Sequence, residues 1–361
     1  MDAEELIESI IRALMFIAGI LGNNWLAICS LPKLKSGIRT NEVLFINLAL
    51  SNLITNFLVD LPDTIADFNG SWFLGETFCG VFRFCADLSE TSSIFTTFFI
   101  SAFWHQKLVG SLKRGGAPVQ LDNLCLVMCL LAGSWTVAVV FSIPHFFFVS
   151  VEGGNGSEED CLDVFPSALA RQTYEAIYLT VANAFPLAGI VFASVQIVIT
   201  LYQNQRRIRG HNSDAAKEVV EEDKSLENRD DERSLSTVSG KELNCSRPDG
   251  GPSDQSAHIA PFNRETESRA GAKPNVSRPN QMPSKPSSNT STQVRAAKSV
   301  VAVASVVLVC WLTHLLLRIT NNIHTSSIVV EVASYIAASY TCIIPYIFLH
   351  GVKKLSCKCK R

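Results

Sequence analysis

Seven separate apolar stretches, each long enough to cross a bilayer, constrain this chain more than any other feature. They fall at about 6–31, 42–66, 79–106, 121–149, 174–202, 297–319 and 328–352. A hydrocarbon core of about 30 Å needs roughly 20 apolar helical residues. Lipid offers no partner for an open backbone, so such segments satisfy their own peptide groups as helices. The expected fold is therefore an all-α, seven-transmembrane helix bundle. The third stretch is the least apolar, because it carries Arg83, Asp87 and Glu90. It is retained because a polar stripe facing a bundle interior is tolerated, and because an odd count places the charges correctly.

Charge placement tests that count independently. Lys33, Lys35 and Arg39 follow the first stretch, and Lys107, Lys113 and Arg114 follow the third. Arg206, Arg207 and Arg209 follow the fifth, Arg295 and Lys298 flank the start of the sixth, and Lys353 and Lys354 follow the seventh. The opposite loops are acidic or neutral, with Arg171 the one basic exception. By the positive-inside rule the N-terminus lies outside and the C-terminus in the cytosol. The first apolar run reads as an uncleaved span rather than a signal peptide. A net charge of -2 gives no basic surface for nucleic acid.

The chain thus divides into spans one to five (1–204), a polar third cytoplasmic loop (205–296), spans six and seven (297–352) and a short cytoplasmic tail (353–361). The loop is rich in Ser, Asn, Pro, Gly, Glu and Lys, without usable periodicity, and is expected to be disordered.

Of the eleven cysteines, Cys79 and Cys161 are the two on the oxidising side, and compartment and count predict a disulfide between them. The same loop holds Asn155-Gly156-Ser157, a glycosylation acceptor on the correct side. Cys357 and Cys359 lie beyond the seventh span among lysines, which suits palmitoylation.

Residues distributed over the spans carry a resemblance. They are Gly19-x-x-Gly22-Asn23, Asn47-Leu48-Ala49, Cys79, Trp135, Pro186, Cys310-Trp311 and Pro345, one set per span and in order. Together they resemble the framework of rhodopsin-like receptors. The departures narrow it: Asn52 stands where a sodium-binding Asp is usual, and Phe103-Trp104-His105 replaces Asp-Arg-Tyr. Thr313 replaces a proline, and Ile344-Pro345-Tyr346-Ile347-Phe348 lacks the usual Asn and Tyr. With Thr97-x-x-x-Ser101-x-Phe103, these losses resemble vomeronasal type-1 receptors. The run Phe103–Leu108 followed by Gly116-Ala117-Pro118-Val119 is similar to their fish counterparts, the olfactory receptors related to class A. The resemblance implies a chemosensory receptor in the plasma membrane of sensory neurons. Its partners would be a small water-borne odorant or pheromone and an inhibitory-type heterotrimeric G protein. A bitter-taste receptor is the runner-up within receptors.

Ionisable groups inside a membrane are functional candidates by default. Asp87 and Glu90 share a helix face, roughly 12 and 16 Å below Cys79 at about 1.5 Å rise per residue. With Arg83, His314, Arg318 and Tyr335 they form the expected ligand set, and Trp311 is the expected switch beneath it. A bland reading pairs Arg83 with Asp87 and lets Arg318 snorkel. Lys107, Lys113, Arg114 and Arg206 offer a positive face to the G protein, although topology alone explains them equally well. No catalytic residues, metal site or cofactor are expected. A retinal Schiff base would need a lysine within the seventh span, which has none before Lys353. A transporter or channel would show internal repeats, and none is found.

Overall fold

The computed structural model describes residues 3–32, 37–112, 118–152, 159–233, 288–320 and 327–353. Within them the helices are α1 (Ala3–Ser30), α2 (Thr40–Thr55), α3 (Leu61–Asn69), α4 (Gly75–Leu112), α5 (Leu124–Phe147), α6 (Ala168–Tyr178), α7 (Phe185–Arg233), α8 (Ser288–Thr320), α9 (Ser327–Ala338) and α10 (Tyr340–Phe348). One hairpin, β1 (Val149–Glu152) with β2 (Asp160–Asp163), lies between α5 and α6.

Five helical segments are long and apolar enough to cross a bilayer, and α9 with α10, bent by 40° at Ser339, forms a sixth. The seventh, α4, is 38 residues long and carries charges along its outer half. It packs against α2, α5 and α8, so its polar face meets protein rather than lipid. That burial is what makes an otherwise marginal span acceptable.

Proline shapes three of the spans. A proline lacks the N–H that would close the preceding helical turn, and its ring crowds the carbonyl four residues back. Pro62 follows a π-helical turn at Asn56–Asp60, and Pro186 follows another at Leu179–Ala184. Pro345 lies inside α10, which runs into a third π-helical turn, Leu349–Lys353. Each widened turn shifts the register of side chains above it relative to those below. In the second span the shift brings Asn56 Nδ2 to Asp60 Oδ2 at 2.8 Å.

Close approach explains Gly22 and Gly189. A Cβ at Gly22 would lie 2.9 Å from the ring of Pro345, and one at Gly189 would lie 2.3 Å from the ring of Phe98. Spans one and seven, and three and five, meet at these points.

The long third cytoplasmic loop needs a correction at its edges. Helix α7 continues to Arg233 and α8 begins at Ser288, rather than ending at 204 and starting at 297. The physical reason is composition, since the stretch Asp214–Lys224 is dense in the strong helix formers Ala, Lys and Glu. Residues 207–285 form a unit of their own, of which 234–285 lie outside the described residues.

Candidate functional site

The outer end of the bundle is held by the Cys79–Cys161 disulfide, which ties the start of α4 to strand β2. Trp72 and Phe82 pack against the two cysteines, all four buried. Trp72 is further anchored through its indole N–H to the Gly75 carbonyl at 3.1 Å. The backbone N–H of Trp72 reaches the Glu159 carbonyl at 2.6 Å. The loop is thereby fastened over the mouth of the bundle.

Below the disulfide, three elements converge on His145. Its Nε2 lies 2.9 Å from Asp87 Oδ2, and its Nδ1 lies 2.8 Å from Asp163 Oδ1. A neutral imidazole has one donor, so satisfying two carboxylates calls for the imidazolium. The Tyr174 hydroxyl lies 3.0 Å from Asp87 Oδ2 and 2.6 Å from the Phe141 carbonyl, two acceptors for its one proton. Arg83 donates to the Cys161 carbonyl at 2.6 Å and lies 3.8 Å from Asp163 Oδ2. Burial pushes the Asp163 carboxyl up, but the His145 hydrogen bond and the charges of Arg83 and His145 outweigh it. Its net position is below the ordinary carboxylate value.

Arg83 and Asp87 therefore pair with the loop and with α5 rather than with each other. Nothing in the sequence spacing flags His145, since it sits 58 residues beyond Asp87 in the last turn of α5. Its one signal is a polar residue beside Pro144 at the outer end of a very apolar span.

Glu90, one turn below Asp87, faces a different space. A cavity of about 310 Å³ opens between spans two, three, six and seven, lined among others by Glu90, Ser93, Thr97, Trp311, Tyr340 and Ile344. The Tyr178 hydroxyl reaches Glu90 Oε2 at 3.4 Å. The bend between α9 and α10 lies on the cavity wall, with Ala338 and Tyr340 on either side of it. At the break, Ser339 Oγ and Cys310 Sγ are 3.5 Å apart. Trp311 lines the cavity itself, whereas the sequence reading placed it beneath the ligand set.

Tyr335 belongs to a second, smaller cavity of about 160 Å³ with Arg12, Asp60 and Asp63. Its hydroxyl donates to Glu8 at 2.6 Å. Arg12 donates to Asp63 at 3.0 Å and to Asp67 at 2.8 Å, which locks span one to span two. Arg12 was no part of the expected ligand set, although an arginine inside the first apolar stretch was visible. His314 and Arg318 lie on α8, but their side chains are outside the described residues, as are Asn155, Lys113, Arg114, Cys357 and Cys359.

Deeper in the bundle, Asn52 is fully buried in a neutral network. Its amide donates to Asn23 Oδ1 at 3.0 Å, and its carbonyl oxygen accepts from Ser93 at 2.9 Å. An amide here satisfies partners that a carboxylate would not, and it supplies no anion for a cation. Trp135 donates to Asn47 Oδ1 at 2.9 Å, and Asn47 donates to Thr96 at 2.7 Å, joining spans four, two and three.

The inner end is apolar where the outer end is charged. Phe103 and Trp104 are buried in the main core cluster, with their rings edge to face at 5.3 Å. Lys107 lies over the Phe103 ring at 4.9 Å and pairs with Asp122 at 3.3 Å. Arg206 lies over Tyr202 at 4.6 Å. Arg295 donates to the Gly351 carbonyl at 2.9 Å, joining spans six and seven.

Comparison with known proteins bears directly on this arrangement. The family model described as "7 transmembrane receptor (rhodopsin family)" matches residues 23–348. Rhodopsin of Cambarus maculatus is 27% identical over 201 residues, covering 54% of this chain and 64% of that one. The gonadotropin-releasing hormone receptor of Octopus vulgaris is 22% identical over 196 residues, covering 54% of this chain and 46% of the relative. The chain thus spans less than two thirds of the length of either relative. The crystal structure of squid rhodopsin aligns with 97% of this chain and 83% of its own, at a TM-score of 0.61 and 16% identity, a likeness of fold.

Proposed function

Since the chain belongs to the rhodopsin family of seven-transmembrane receptors, we propose that it is a G-protein-coupled chemosensory receptor for a small water-borne ligand. The observation that carries this reading is the cavity of about 310 Å³, with Glu90 on one wall and Trp311 on another. Apolar walls with a few convergent polar groups are what a small-molecule pocket requires. A ligand lodged there touches spans three, six and seven at once. Movement of the Trp311 ring beside the 40° bend then transmits occupancy towards the cytoplasmic ends.

The chemosensory assignment is supported by the run Phe103-Trp104-His105-Gln106-Lys107-Leu108 and by the absent Asp-Arg-Tyr motif. The two named relatives are a rhodopsin and a peptide-hormone receptor. Residues 328–352 hold no lysine for a Schiff base, which speaks against a retinal chromophore. An inhibitory-type G protein would meet the inner face near Lys107, Lys113, Arg114 and Arg206, and the receptor would act at the plasma membrane of sensory neurons.

The test is expression in a reporter cell with a promiscuous G protein, challenged with a fractionated odorant library. A dose-dependent response that is lost on coexpressing a G-protein inhibitor is the expected result. Silence towards every fraction, with the chain present at the cell surface, would end the receptor reading.

A further inference from the structure

We infer that the groove between the cytoplasmic halves of spans six and seven binds an anionic phospholipid of the inner leaflet. Its headgroup meets Lys298, Arg295 and His350, and one acyl chain lies along the apolar wall above them. The groove is a cavity of about 760 Å³, lined by α8, by α10 with the π-helical turn that follows it, and by Ala18 of span one. It shares no lining residue with the cavity beside Trp311, so its occupant is independent of the ligand that the receptor takes there.

Helical spacing builds the groove. Lys298 and Ala302 are one turn apart on α8, and Cys342, Tyr346 and His350 recur at every fourth residue on span seven. The face of α8 that it uses looks away from the bundle. Val300, Val303 and Ala304 are buried in the core cluster, whereas Lys298 and Ala302 are exposed. The small side chain of Ala302 leaves room, and the exposed Ile343 and Tyr346 form the opposite wall. The Tyr346 hydroxyl donates to the Ala18 carbonyl at 2.9 Å, which fixes that ring. From Cys342 to Gly351 the wall runs roughly 14 Å at about 1.5 Å per residue, close to half of a hydrocarbon core of about 30 Å. That is the depth of one leaflet.

The cations gather at the cytoplasmic foot of this wall. Arg295 donates through Nε to the Gly351 carbonyl at 2.9 Å, which holds the guanidinium across both spans. A Cβ at Gly351 would overlap the Ser299 side chain, so the two helices close tightly there. Arg12, Arg83, Lys107 and Arg171 each lie within ion-pair distance of a carboxylate. Among the described residues Arg295 and Lys298 have no such partner, and no carboxylate lines the groove. Positive-inside topology accounts for cations near a span end. It does not call for two uncompensated ones gathered with an imidazole at the foot of an apolar groove. A phosphodiester supplies the missing anion, and basic pockets between helices on the cytoplasmic side suit such headgroups.

The test uses the full-length receptor in phosphatidylcholine nanodiscs, with a trace of phosphatidylserine or phosphatidylcholine carrying a diazirine on one acyl chain. Irradiation followed by peptide mass mapping reads where each probe inserts. The serine lipid is expected to label residues 298–302 and 342–347 in excess over the choline lipid. That excess should fall about fivefold in K298Q, the weight of one lysine near an anionic lipid surface. A302F fills the groove and should abolish the excess with both cations kept. Because the readout is a ratio of two probes within one variant, reduced folding does not mimic it.

Equal labelling by the two lipids, or an excess mapped to another face of the bundle, overturns the site. An excess that survives K298Q overturns the headgroup contact, and one that survives A302F overturns the groove as the place of the chain. Glycerophosphoserine carries the headgroup without the chains. If it displaces the probe as well as unlabelled phosphatidylserine does, the occupant is a soluble phosphodiester and the lipid assignment falls.

Discussion

The two ends of α4 solve the same problem in opposite ways. At the outer end, Arg83 and Asp87 are engaged by ion pairs and hydrogen bonds that recruit α5, α6 and the hairpin. At the inner end, Phe103 and Trp104 are both buried in the apolar core, with their rings edge to face. The difference teaches where this receptor can respond to its surroundings. Charged contacts are directional and depend on protonation, so the groups whose pairing changes with pH are gathered at the outer end. An apolar contact is neither, so the Phe103–Trp104 pair rests on packing.

The largest expected effect comes from removing His145. His145→Ala leaves Asp87 and Asp163 facing an empty site, with side chains only 12% and 22% exposed. Breaking a buried pair in this way costs about 3–5 kcal/mol. A thermal unfolding curve of the detergent-purified receptor should move down by many degrees, and an unchanged midpoint would mean the cluster is incidental. Next is the disulfide: Cys161→Ser frees the loop at an expected cost of about 2–4 kcal/mol. Surface expression measured by flow cytometry should fall sharply.

At the inner end, Trp104→Arg restores a charge that the apolar core cannot pair. An arginine in a span costs about 2.5–3.5 kcal/mol at the bilayer centre and less towards the interface. The expected outcome is a receptor that is less stable and has raised basal signalling, read as agonist-free reporter output. Lowered output would show that packing at Trp104 does not restrain basal signalling.

A smaller effect separates the two ends by pH. The Asp163 carboxyl is held below its ordinary value in the folded state. Its contribution is therefore present above the unfolded value near 3.8 and is lost as pH falls through the lower folded value. Melting temperature should decline on acidification below about pH 4 in wild type, and less so in Asp163→Asn. The smallest effect is expected for Lys107→Ala, whose ion pair with Asp122 is 32% and 52% exposed. Such pairs contribute below about 1 kcal/mol and are screened by salt. A shift that survives high salt would point to the Phe103 ring beneath Lys107 instead.

The number of spans was legible because lipid imposes a length and a polarity that any reader of hydropathy can check. The bond between Cys79 and Cys161 was legible from compartment and count. The roles of Asp87 and Glu90 were not separable by sequence. Three residues apart, they share a helix face, yet one meets an imidazole and the other a cavity. His145, Tyr174 and Arg12 were missed for the same reason, since their partners lie 18 to 87 residues away in the chain.

What the amino-acid sequence settles by itself is the seven-span bundle and its family, since backbone hydrogen bonding in lipid leaves a segment of this kind no other form. The tertiary structure decides which ionisable groups pair across the outer ends of the helices and which line a cavity. That choice depends on distances between helices, which three prolines and their widened turns set, and which no local pattern encodes.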